Sequence, residues 1–449
     1  MTVPLRVAII GAGWAGCAAA SACARDGHRA IVLEASGELG GRARRVVLEL
    51  AGQPHTLDNG QHLLIGAYTA TAGLLDELGV ALDKAFERRP FQLVYPDGTA
   101  LRAARLPAPW HLAAAVLTAR GFSWADRAAL VGLMPGLRAA GWAVTPDRPA
   151  GDWLRQLRQT PRLIERVWRP LTLAALNTPV EQASAQTLAT VLRDSLGARA
   201  AASEMWLSRS NLSEVLPDAV QRRLASLGSE VRRNHRVDLA RRTERGWTLA
   251  IRSGGGHTTL EVDAVIYAAP PSQVQRVFGL HADALTGPLR TIERFRYEPI
   301  TTIYLKYGRD EQRLPPLFQP LLEDAARRHH GQWAFNRGAL DPANRGVLAV
   351  VISTGGIHDE PTLEALCKSA AQQMTDVYGL PPPLDARAIV ERRATLACIP
   401  DLERPAQSTG LPRLAFAGDW TASEYPCTLE TAVRSGIEAA RWVVGPGAA

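Results

Sequence analysis

The sequence predicts an α/β protein, and three features near its N-terminus support this. An apolar run, Leu5–Ile10, is typical of a buried parallel strand. A glycine-rich turn, Gly11–Gly16, follows it and leads into a helix of small residues, Ala18–Ala24. A second strand, Arg29–Leu33, ends at the acidic residue Glu34. Strand, glycine turn, helix, strand and acid in this order indicate a Rossmann-like dinucleotide-binding unit.

Each residue type in this unit has a physical role. Gly11 permits the tight turn, Gly13 lets the backbone approach a pyrophosphate, and the helix N-terminus attracts phosphate charge. Gly16 allows helix and strand to pack closely, and Glu34 would accept hydrogen bonds from ribose hydroxyls. The cofactor contacts predicted at this turn are Gly11, Gly13, Trp14, Ala15 and Gly16.

Bulk composition is that of an ordinary globular protein. The chain has 449 residues, 46% hydrophobic and 21% charged, enough for two or three domains. The net charge of +7 favours an anionic binding partner. The basic residues are scattered and accompany no nucleic-acid-binding motif, so we expect a solvated arginine-rich surface and no nucleic-acid partner.

Cysteine usage and hydropathy indicate the setting. The five cysteines form no CxxC pair and no Cys/His cluster, so we expect no metal site and a reducing, cytoplasmic compartment. The uncharged stretch Val7–Ala24 could be mistaken for a signal peptide or a membrane span, but its tightly spaced glycines favour the strand–turn–helix interpretation. No other uncharged run approaches the ~18 to 20 residues of a span, so we expect no transmembrane helix.

A second glycine-rich stretch indicates which dinucleotide is bound. "GELGGRARR" (Gly37–Arg45) follows Glu34 closely. This pattern resembles the start of the FAD-binding domain in the flavin amine oxidase and phytoene desaturase superfamily. The resemblance implies that the cofactor is FAD, that Arg42 meets its phosphates, and that Gly41 lets the loop lie against it.

Two later segments resemble the remainder of such a domain. Ser229–Pro271 reads as short strands, and its Val237 would flank the adenine. Arg413–Val444 reads as a strand, a turn at Gly418, and a helix starting near Thr428. The resemblance implies that Asp419 binds the ribityl–pyrophosphate part of FAD. It also implies that backbone N–H groups at Thr428 and Leu429 point at the flavin pyrimidine carbonyl.

The resemblance at both ends and in the middle predicts a discontinuous FAD-binding domain made of residues 1–90, 212–280 and 390–449. The substrate domain, of mixed sheet and helices, would consist of 91–211 and 281–389. Within it, Ile300–Tyr307 and Val347–Thr354 read as strands. No second strand–GxGxxG–helix unit is present, so we expect an external electron donor or acceptor.

Further motifs narrow the resemblance to the hydroxysqualene dehydroxylases, flavoproteins of bacterial squalene and hopanoid biosynthesis. The match covers nearly the whole chain and is carried by "DNGQHLLIGAY", "WRPLTLAALNTPVEQASA", "GQWAFNRG", "ERRATLACIP" and "GDWTASEYPCTLETAVRSGIEAA". It implies a reduction in which hydroxysqualene loses its allylic hydroxyl, gains a hydride and becomes squalene. It also suggests upstream squalene-pathway synthases as partners.

The polar stretch Asp58–His62 supplies catalytic candidates. In related amine oxidases the corresponding segment lies beside the flavin and the substrate, with Gly60 against the cofactor. His62 is the candidate general acid because histidine can supply a proton near neutral pH. The alternative is that Gln61 and His62 only hydrogen-bond the flavin edge or the backbone. Other candidate acids are Asp58, Asp401 and Glu424. A helix is expected from Leu63 to Gly79.

Two features leave alternatives open. Arg105–Trp142 is rich in Ala, Leu and Trp with intervening Arg, which fits either a peripheral contact with the cytoplasmic membrane or a pair of helices closing the substrate domain. Cys398 and Cys427 lie in segments expected near the cofactor, so either could link covalently to the flavin, although buried thiols are commoner. Two other functions also stay open: carotenoid desaturation or amine oxidation, and a non-catalytic flavin-binding membrane scaffold.

Overall fold

The computed structural model describes residues 3–309, 311–354 and 362–445. The strands are β1 Arg6–Ile10, β2 Arg29–Leu33, β3 Arg45–Leu50, β4 Gln53–Asp58, β5 Leu64–Ile65, β6 Phe86–Arg89, β7 Gln92–Val94, β8 Ala100–Arg102, β9 Met205–Ser208, β10 Glu230–Arg232, β11 Arg236–Thr243, β12 Gly246–Ser253, β13 Gly256–Val262, β14 Ala264–Tyr267, β15 Tyr297–Lys306, β16 Phe318–Pro320, β17 Trp333–Asn336, β18 Val347–Ser353, β19 Asp385–Leu396 and β20 Leu414–Phe416.

The α-helices are α1 Trp14–Arg25, α2 Thr69–Glu77, α3 Leu82–Ala85, α4 Trp110–Leu117, α5 Trp124–Ala139, α6 Ala150–Gln156, α7 Pro161–Leu163, α8 Arg169–Leu176, α9 Ala185–Asp194, α10 Leu212–Val215, α11 Pro217–Ser226, α12 Val274–Phe278, α13 Thr286–Glu293, α14 Leu363–Tyr378 and α15 Leu429–Val444. A π-helical turn, Ile164–Trp168, joins α7 to α8.

A five-stranded parallel sheet forms the first layer, in the order β10–β2–β1–β14–β20. Its central strands β1 and β14 are apolar and almost fully buried. The sheet gathers strands from the beginning, middle and end of the chain. The predicted α/β fold is confirmed.

Helices α1 and α15 pack closely on one face of this sheet because small residues meet between them. A Cβ added to Gly436 would lie 2.1 Å from the Ala15 carbonyl oxygen. The first turn of α1 also packs tightly on the preceding glycine turn, since a Cβ added to Gly16 would lie 1.9 Å from the Gly11 carbonyl oxygen. The three-stranded sheet β11–β12–β13 covers the opposite face. Its Trp247 is buried in the same hydrophobic cluster as Tyr267 of β14.

A second five-stranded sheet has the order β16–β17–β18–β15–β19 and is antiparallel throughout. The two strands predicted here, Ile300–Tyr307 and Val347–Thr354, correspond to β15 and β18. One face packs on α14, and the other packs on the helices between residues 110 and 194. Strand β19 pairs with β15 along most of its length, so the boundary predicted at residue 390 falls inside a strand.

Local structure differs from the sequence prediction at Leu63–Gly79. The helix begins only at Thr69, because Leu64 and Ile65 form a strand that pairs with β9. Gly66 also packs so tightly on the Ala201 carbonyl that an added Cβ would lie 1.8 Å from its oxygen. Tertiary pairing therefore overrides the local helical pattern.

Residues 105–142 contain the two helices α4 and α5. A capping box at Ser123 and Asp126 starts α5, with the Asp126 N–H donating to the Ser123 hydroxyl at 3.2 Å. In the described part of the chain, no helix combines the length and apolar character needed to cross a bilayer.

Candidate functional site

The glycine turn between β1 and α1 forms an open cradle. Gly11 has φ +100°, a left-handed conformation that favours glycine, and its N–H donates to the Leu33 carbonyl at 2.8 Å. Among the described residues, a Cβ added to Gly13 would meet only the Gly41 Cα, at 4.0 Å. No described side chain caps α1, and its first-turn N–H groups lack intrahelical acceptors. The turn therefore fits a phosphate.

The other residues predicted at this turn pack beside it or hydrogen-bond to its backbone. Trp14 and Ala15 occupy the first turn of α1 and are buried. The Glu34 carboxylate accepts hydrogen bonds from the Ala12 N–H at 2.7 Å and from the Ser36 N–H at 2.8 Å. Glu34 is only partly buried and has further acceptor capacity, so holding the turn and binding ribose hydroxyls are compatible.

Arg42 joins the first and last segments of the predicted cofactor domain. Its guanidinium binds the Asp419 carboxylate at 2.5 Å and also donates to the Ala394 carbonyl. Gly41 has φ +62° and approaches Gly13, so the Arg42 loop lies directly against the glycine turn. The Asp419 side chain is nearly buried, whereas that of Arg42 is 43% exposed. Donors on Arg42 thus stay accessible beside the cradle, as phosphate binding requires.

The start of α15 provides a second helix N-terminus at this site. Thr428 caps the helix by accepting a hydrogen bond from the Thr431 N–H at 3.2 Å, and Leu429 is the first helical residue. Gly418 has φ +149°, and a Cβ there would lie 2.3 Å from the Trp420 indole nitrogen. The free N–H groups of the first turn fit an electron-rich flavin edge.

Val237 lies in β11 and is buried in the core that also contains Ile10 and Leu33. Its carbonyl accepts a hydrogen bond from Arg276 at 3.2 Å. It is therefore close to the ends of β1 and β2, where the dinucleotide unit begins.

Asp58 fixes the polar stretch in place through hydrogen bonds to other elements. Its carboxylate accepts the Leu212 N–H at 2.8 Å, and its carbonyl accepts the Tyr304 hydroxyl at 2.7 Å. Only 2% of Asp58 is exposed. Burial raises the pKa of Asp58 to about 6, although the positive charge of Arg337 opposes this shift. These contacts suit a positioning role better than direct contact with a substrate.

Gln61 and His62 follow at the end of the stretch. The Gln61 N–H donates to the Thr302 hydroxyl at 3.3 Å, and its side-chain oxygen is buried without a hydrogen-bond partner among the described residues. His62 Nδ1 lies 2.7 Å from the Gly60 carbonyl oxygen. Because a carbonyl only accepts, Nδ1 carries the proton and Nε2 is an acceptor in the neutral ring.

The protonation state of His62 bears on its candidate role. Burial and, more weakly, the nearby charge of Arg42 lower its pKa to about 4, against the effect of the hydrogen bond to Gly60. A histidine with this pKa is neutral near pH 7, so very few molecules carry the imidazolium form that could donate a proton. The geometry therefore favours an acceptor role.

The other candidate acids and the cysteines lie differently. Asp401 is exposed on a turn, and the Glu424 carboxylate, 54% exposed, binds Arg193 at 3.0 Å. Burial raises the pKa of Cys427 to about 12 and that of Cys398 to about 11. Both thiols are thus protonated at neutral pH, which disfavours nucleophilic attachment to a flavin. Within the described ranges, no group of His, Cys, Asp and Glu residues could hold a metal ion.

Sequence reasoning missed the residues that the second sheet contributes. Thr302 and Tyr304 of β15 hold the polar stretch, and the Glu391 carboxylate of β19 accepts a hydrogen bond from Asn59 at 3.4 Å. Arg404 donates to the Asp419 carbonyl at 3.1 Å and to that of Tyr425 at 2.7 Å. The alternation of polar side chains in "ITTIY" is a weak signal for one such face. Glu391 begins the quoted stretch "ERRATLACIP", but neither it nor the other three residues was predicted as a site residue.

Comparisons with known proteins agree with this geometry. Residues 14–444 match the family model described as flavin containing amine oxidoreductase. Two proteins named hydroxysqualene dehydroxylase are similar over the whole chain. One, from Rhodopseudomonas palustris, is 30% identical over 99% of both chains, and one from Sinorhizobium fredii is 28% identical over 98% of both. The structure of an oxidoreductase from Methanosarcina mazei superposes with a TM-score of 0.73 at 12% identity, over 97% of this chain and 99% of that one.

The match of the family model to nearly the whole chain confirms the resemblance predicted from its motifs and the FAD cofactor. The cradle at Gly13, the exposed donors of Arg42, the uncapped N-terminus of α1 and the remaining first-turn N–H groups of α15 fit that cofactor. The chain belongs to the flavin-containing amine oxidoreductase family and is an FAD-dependent oxidoreductase.

Proposed function

We propose that the chain reductively removes the hydroxyl group of hydroxysqualene to give squalene. The observation that carries this proposal is the full-length similarity to two proteins named hydroxysqualene dehydroxylase. Bound FAD, once reduced, would supply the hydride for the allylic carbon. The reaction would serve bacterial squalene and hopanoid synthesis.

The protein's own residues would hold the cofactor and orient the substrate. The glycine turn and Arg42 with Asp419 would bind the phosphate and ribityl parts, while Thr428 and Leu429 present backbone N–H groups to the flavin. His62 would accept a hydrogen bond from the substrate hydroxyl through Nε2, which the neutral ring leaves free. The unpartnered side-chain oxygen of Gln61 offers a second acceptor beside it.

The apolar character of the second sheet is compatible with a hydrocarbon substrate. The helix-facing side of the second sheet carries stacked aromatic rings, with Phe318 and Phe335 at 6.0 Å and Trp333 and Phe335 at 6.3 Å between centroids. These rings belong to one core with Trp168. Loss of an allylic hydroxyl develops carbocation character, which water would trap, so the substrate must bind against apolar surface of this kind that excludes water.

Anaerobic single turnover tests the proposal. Enzyme reduced with dithionite is mixed with hydroxysqualene, flavin absorbance is followed, and products are identified by mass spectrometry. We expect reoxidation of the flavin with one squalene formed per FAD. Reoxidation without squalene, or desaturation of phytoene by the oxidised enzyme, would instead support the rival desaturase function. Equal product formation by protein stripped of flavin would support the scaffold function.

We also propose that electrons come from a separate donor, because the sequence contains a single dinucleotide-binding motif. Upstream squalene-pathway synthases remain the proposed source of the substrate. Adding candidate donors to the oxidised enzyme with hydroxysqualene tests the first point, since only a competent donor sustains more than one turnover.

We propose that α4 and α5 contact the cytoplasmic membrane peripherally. Trp110 and Leu117 lie seven residues apart on α4, as do Trp124 and Val131 on α5, so each pair shares a helix face. These four side chains are 65%, 67%, 79% and 59% exposed, respectively. Large apolar side chains exposed on neighbouring helices indicate an interaction surface.

The charges on this surface indicate which kind of partner it would bind. Between residues 98 and 140 the exposed basic residues are all arginines, His111 is buried, and Asp126, the one acidic residue, is buried in its capping box. Arg127 stacks over the Trp124 ring at 5.1 Å, an arrangement suited to a lipid headgroup region. The surface therefore fits an anionic bilayer.

Sedimentation with vesicles tests this contact. We expect binding to vesicles containing phosphatidylglycerol, little binding to neutral vesicles, and loss of binding in the Trp110→Ser, Trp124→Ser double variant. The matched control is Leu227→Ser, which removes an exposed apolar side chain elsewhere on the surface. Equal binding by the double variant and the control would contradict a membrane role for α4 and α5.

A further inference from the structure

Removal of a hydroxyl group requires a proton, and the polar stretch does not supply an obvious donor. His62 Nδ1 donates to the Gly60 carbonyl, which leaves Nε2 as an acceptor, and Asp58 is buried behind contacts to Leu212 and Tyr304. Asp401 and Glu424 lie on exposed surface. A carboxyl group on another element is therefore needed beside His62 and the cofactor.

Strand β19 places such a group at the polar stretch. Glu391 pairs with Ile300 of β15, so its side chain shares a sheet face with Ile300, Thr302 and Tyr304. This is the face that holds the polar stretch through Thr302 and Tyr304. Glu391 itself contacts the stretch through Asn59, whose amide nitrogen lies 3.4 Å from the carboxylate.

The same carboxylate lies near the cofactor residues. Burial would lower the pKa of Arg42, but the charges of Asp419 and, more weakly, Glu391 outweigh this effect and raise it. Arg42 also donates to the carbonyl of Ala394, three residues beyond Glu391 on β19. Glu391 is only partly buried, so its carboxyl group can reach a bound substrate.

We propose that Glu391 is the catalytic residue that protonates the departing hydroxyl group, an inference that rests on the proposed reductive dehydroxylation. The Glu391 O–H bond breaks as the proton moves to the substrate oxygen, and the C–O bond breaks with its electron pair on that oxygen, so that water leaves. The allylic carbon would receive a hydride, which carries both electrons, from reduced FAD. The Glu391 carboxylate regains its proton from solvent, and the external donor restores reduced FAD.

The test compares Glu391→Gln with the wild type in anaerobic single turnover. Glutamine keeps the size and hydrogen bonding of the side chain but cannot donate an acidic proton. We expect squalene formation at least ~100-fold slower, in the range of lost general acid catalysis, with unchanged FAD content and reduced-flavin spectrum. Glu261→Gln, an exposed glutamate in β13, is the matched control and should match the wild type.

A second substrate separates proton donation from positioning. The acetate ester of hydroxysqualene has a leaving group that needs no proton, so Glu391→Gln should convert it nearly as fast as the wild type. An equally slow reaction of the ester would show that Glu391 only positions the site and would overturn the assignment.

A readout without turnover completes the test. Hydroxysqualene added to the oxidised enzyme should give an infrared difference band of a protonated carboxyl group, absent in Glu391→Gln. If the band persists in Glu391→Gln, or if variant and wild type form squalene equally fast, the assignment of Glu391 is overturned but the proposed function is not. A wild-type enzyme that forms no squalene overturns the proposed function as well.

Discussion

The guanidinium of Arg42 binds the carboxylate of Asp419 at 2.5 Å, although 377 residues separate them in the chain. The contact closes the predicted cofactor site, because Arg42 follows the first βαβ unit and Asp419 precedes α15. It also leaves Arg42 with exposed donors, while the Asp419 side chain is almost covered.

Breaking this pair should weaken FAD binding. We expect Arg42→Ala and Asp419→Asn each to raise the dissociation constant about 10- to 100-fold, or ~1.4 to 2.7 kcal/mol. Arg42→Ala removes phosphate donors, and Asp419→Asn removes the charge that orients them. Titration of apoprotein by flavin fluorescence measures this. Arg241→Ala, at an exposed position, is the control. Unchanged affinity in both site variants would show that the pair does not hold the cofactor.

Close packing between α1 and α15 gives a second prediction. A Cβ at Gly436 would lie 2.1 Å from the Ala15 carbonyl oxygen, so Gly436→Ala must push the helices apart. We expect a loss of ~1 to 3 kcal/mol in the free energy of unfolding, as for other overpacked sites, together with weaker FAD binding. Thermal and urea unfolding measure the first effect.

Gly73 in α2 is the matched control for this change. In the described part of the chain, a Cβ there would meet nothing within 4 Å, and its φ is not left-handed. Gly73→Ala should therefore stabilise the protein by up to ~1 kcal/mol through helix propensity. If both variants behaved alike, packing at Gly436 would not be the cause.

The sequence predicted the parts of the site that local motifs encode. The glycine turn, the Arg42 loop and the start of α15 each need glycine, charge or a capping residue at a fixed spacing, and such constraints are visible in a single chain. By contrast, Thr302, Tyr304 and Glu391 reach the polar stretch from strands more than 200 residues away. Their role depends on sheet register, which no local pattern specifies.

The helix predicted at Leu63 shows the same limit on the fold. The apolar spacing there suits a helix, but pairing of Leu64 and Ile65 with β9 delays its start to Thr69. Likewise, β19 runs across the predicted boundary at residue 390, because its partner is β15 in the second sheet. Tertiary partners decided both outcomes.

Asp58 and His62 should give opposite pH dependences of stability. The pKa of Asp58 is raised in the folded protein from 3.8 to about 6, so the folded state binds this proton more tightly. Stability from this group therefore falls as pH rises from about 4 to 6. The pKa of His62 is lowered from 6.5 to about 4, so its contribution is present above 6.5 and is lost as pH falls through this window.

Comparison of variants separates the two groups. Relative to the wild type, Asp58→Asn should gain up to ~3 kcal/mol between pH 4 and 6, and His62→Gln should lose a similar amount between pH 4 and 6.5. Urea unfolding at several pH values measures both differences, and contributions from all other groups cancel. Parallel curves for wild type and variants would mean that neither side chain is held in a low-dielectric site.

Glu430 should stabilise the approach of α15 to α2. Its buried carboxylate accepts the N–H groups of Ala70 and Thr71, each at 2.9 Å, and binds Arg434 at 2.7 Å. Glu430→Ala leaves the two N–H groups without these acceptors, so we expect a loss of ~1 to 3 kcal/mol in the free energy of unfolding. Glu430→Gln should lose less, because one oxygen remains.

Glu438→Ala, exposed on the same helix, controls for helix propensity and should change stability little. Since α2 follows the polar stretch and α15 begins at the proposed flavin site, Glu430→Ala should also weaken FAD binding, whereas Glu438→Ala should not. Equal effects of the two alanine variants would show that the Glu430 contacts do not couple these helices.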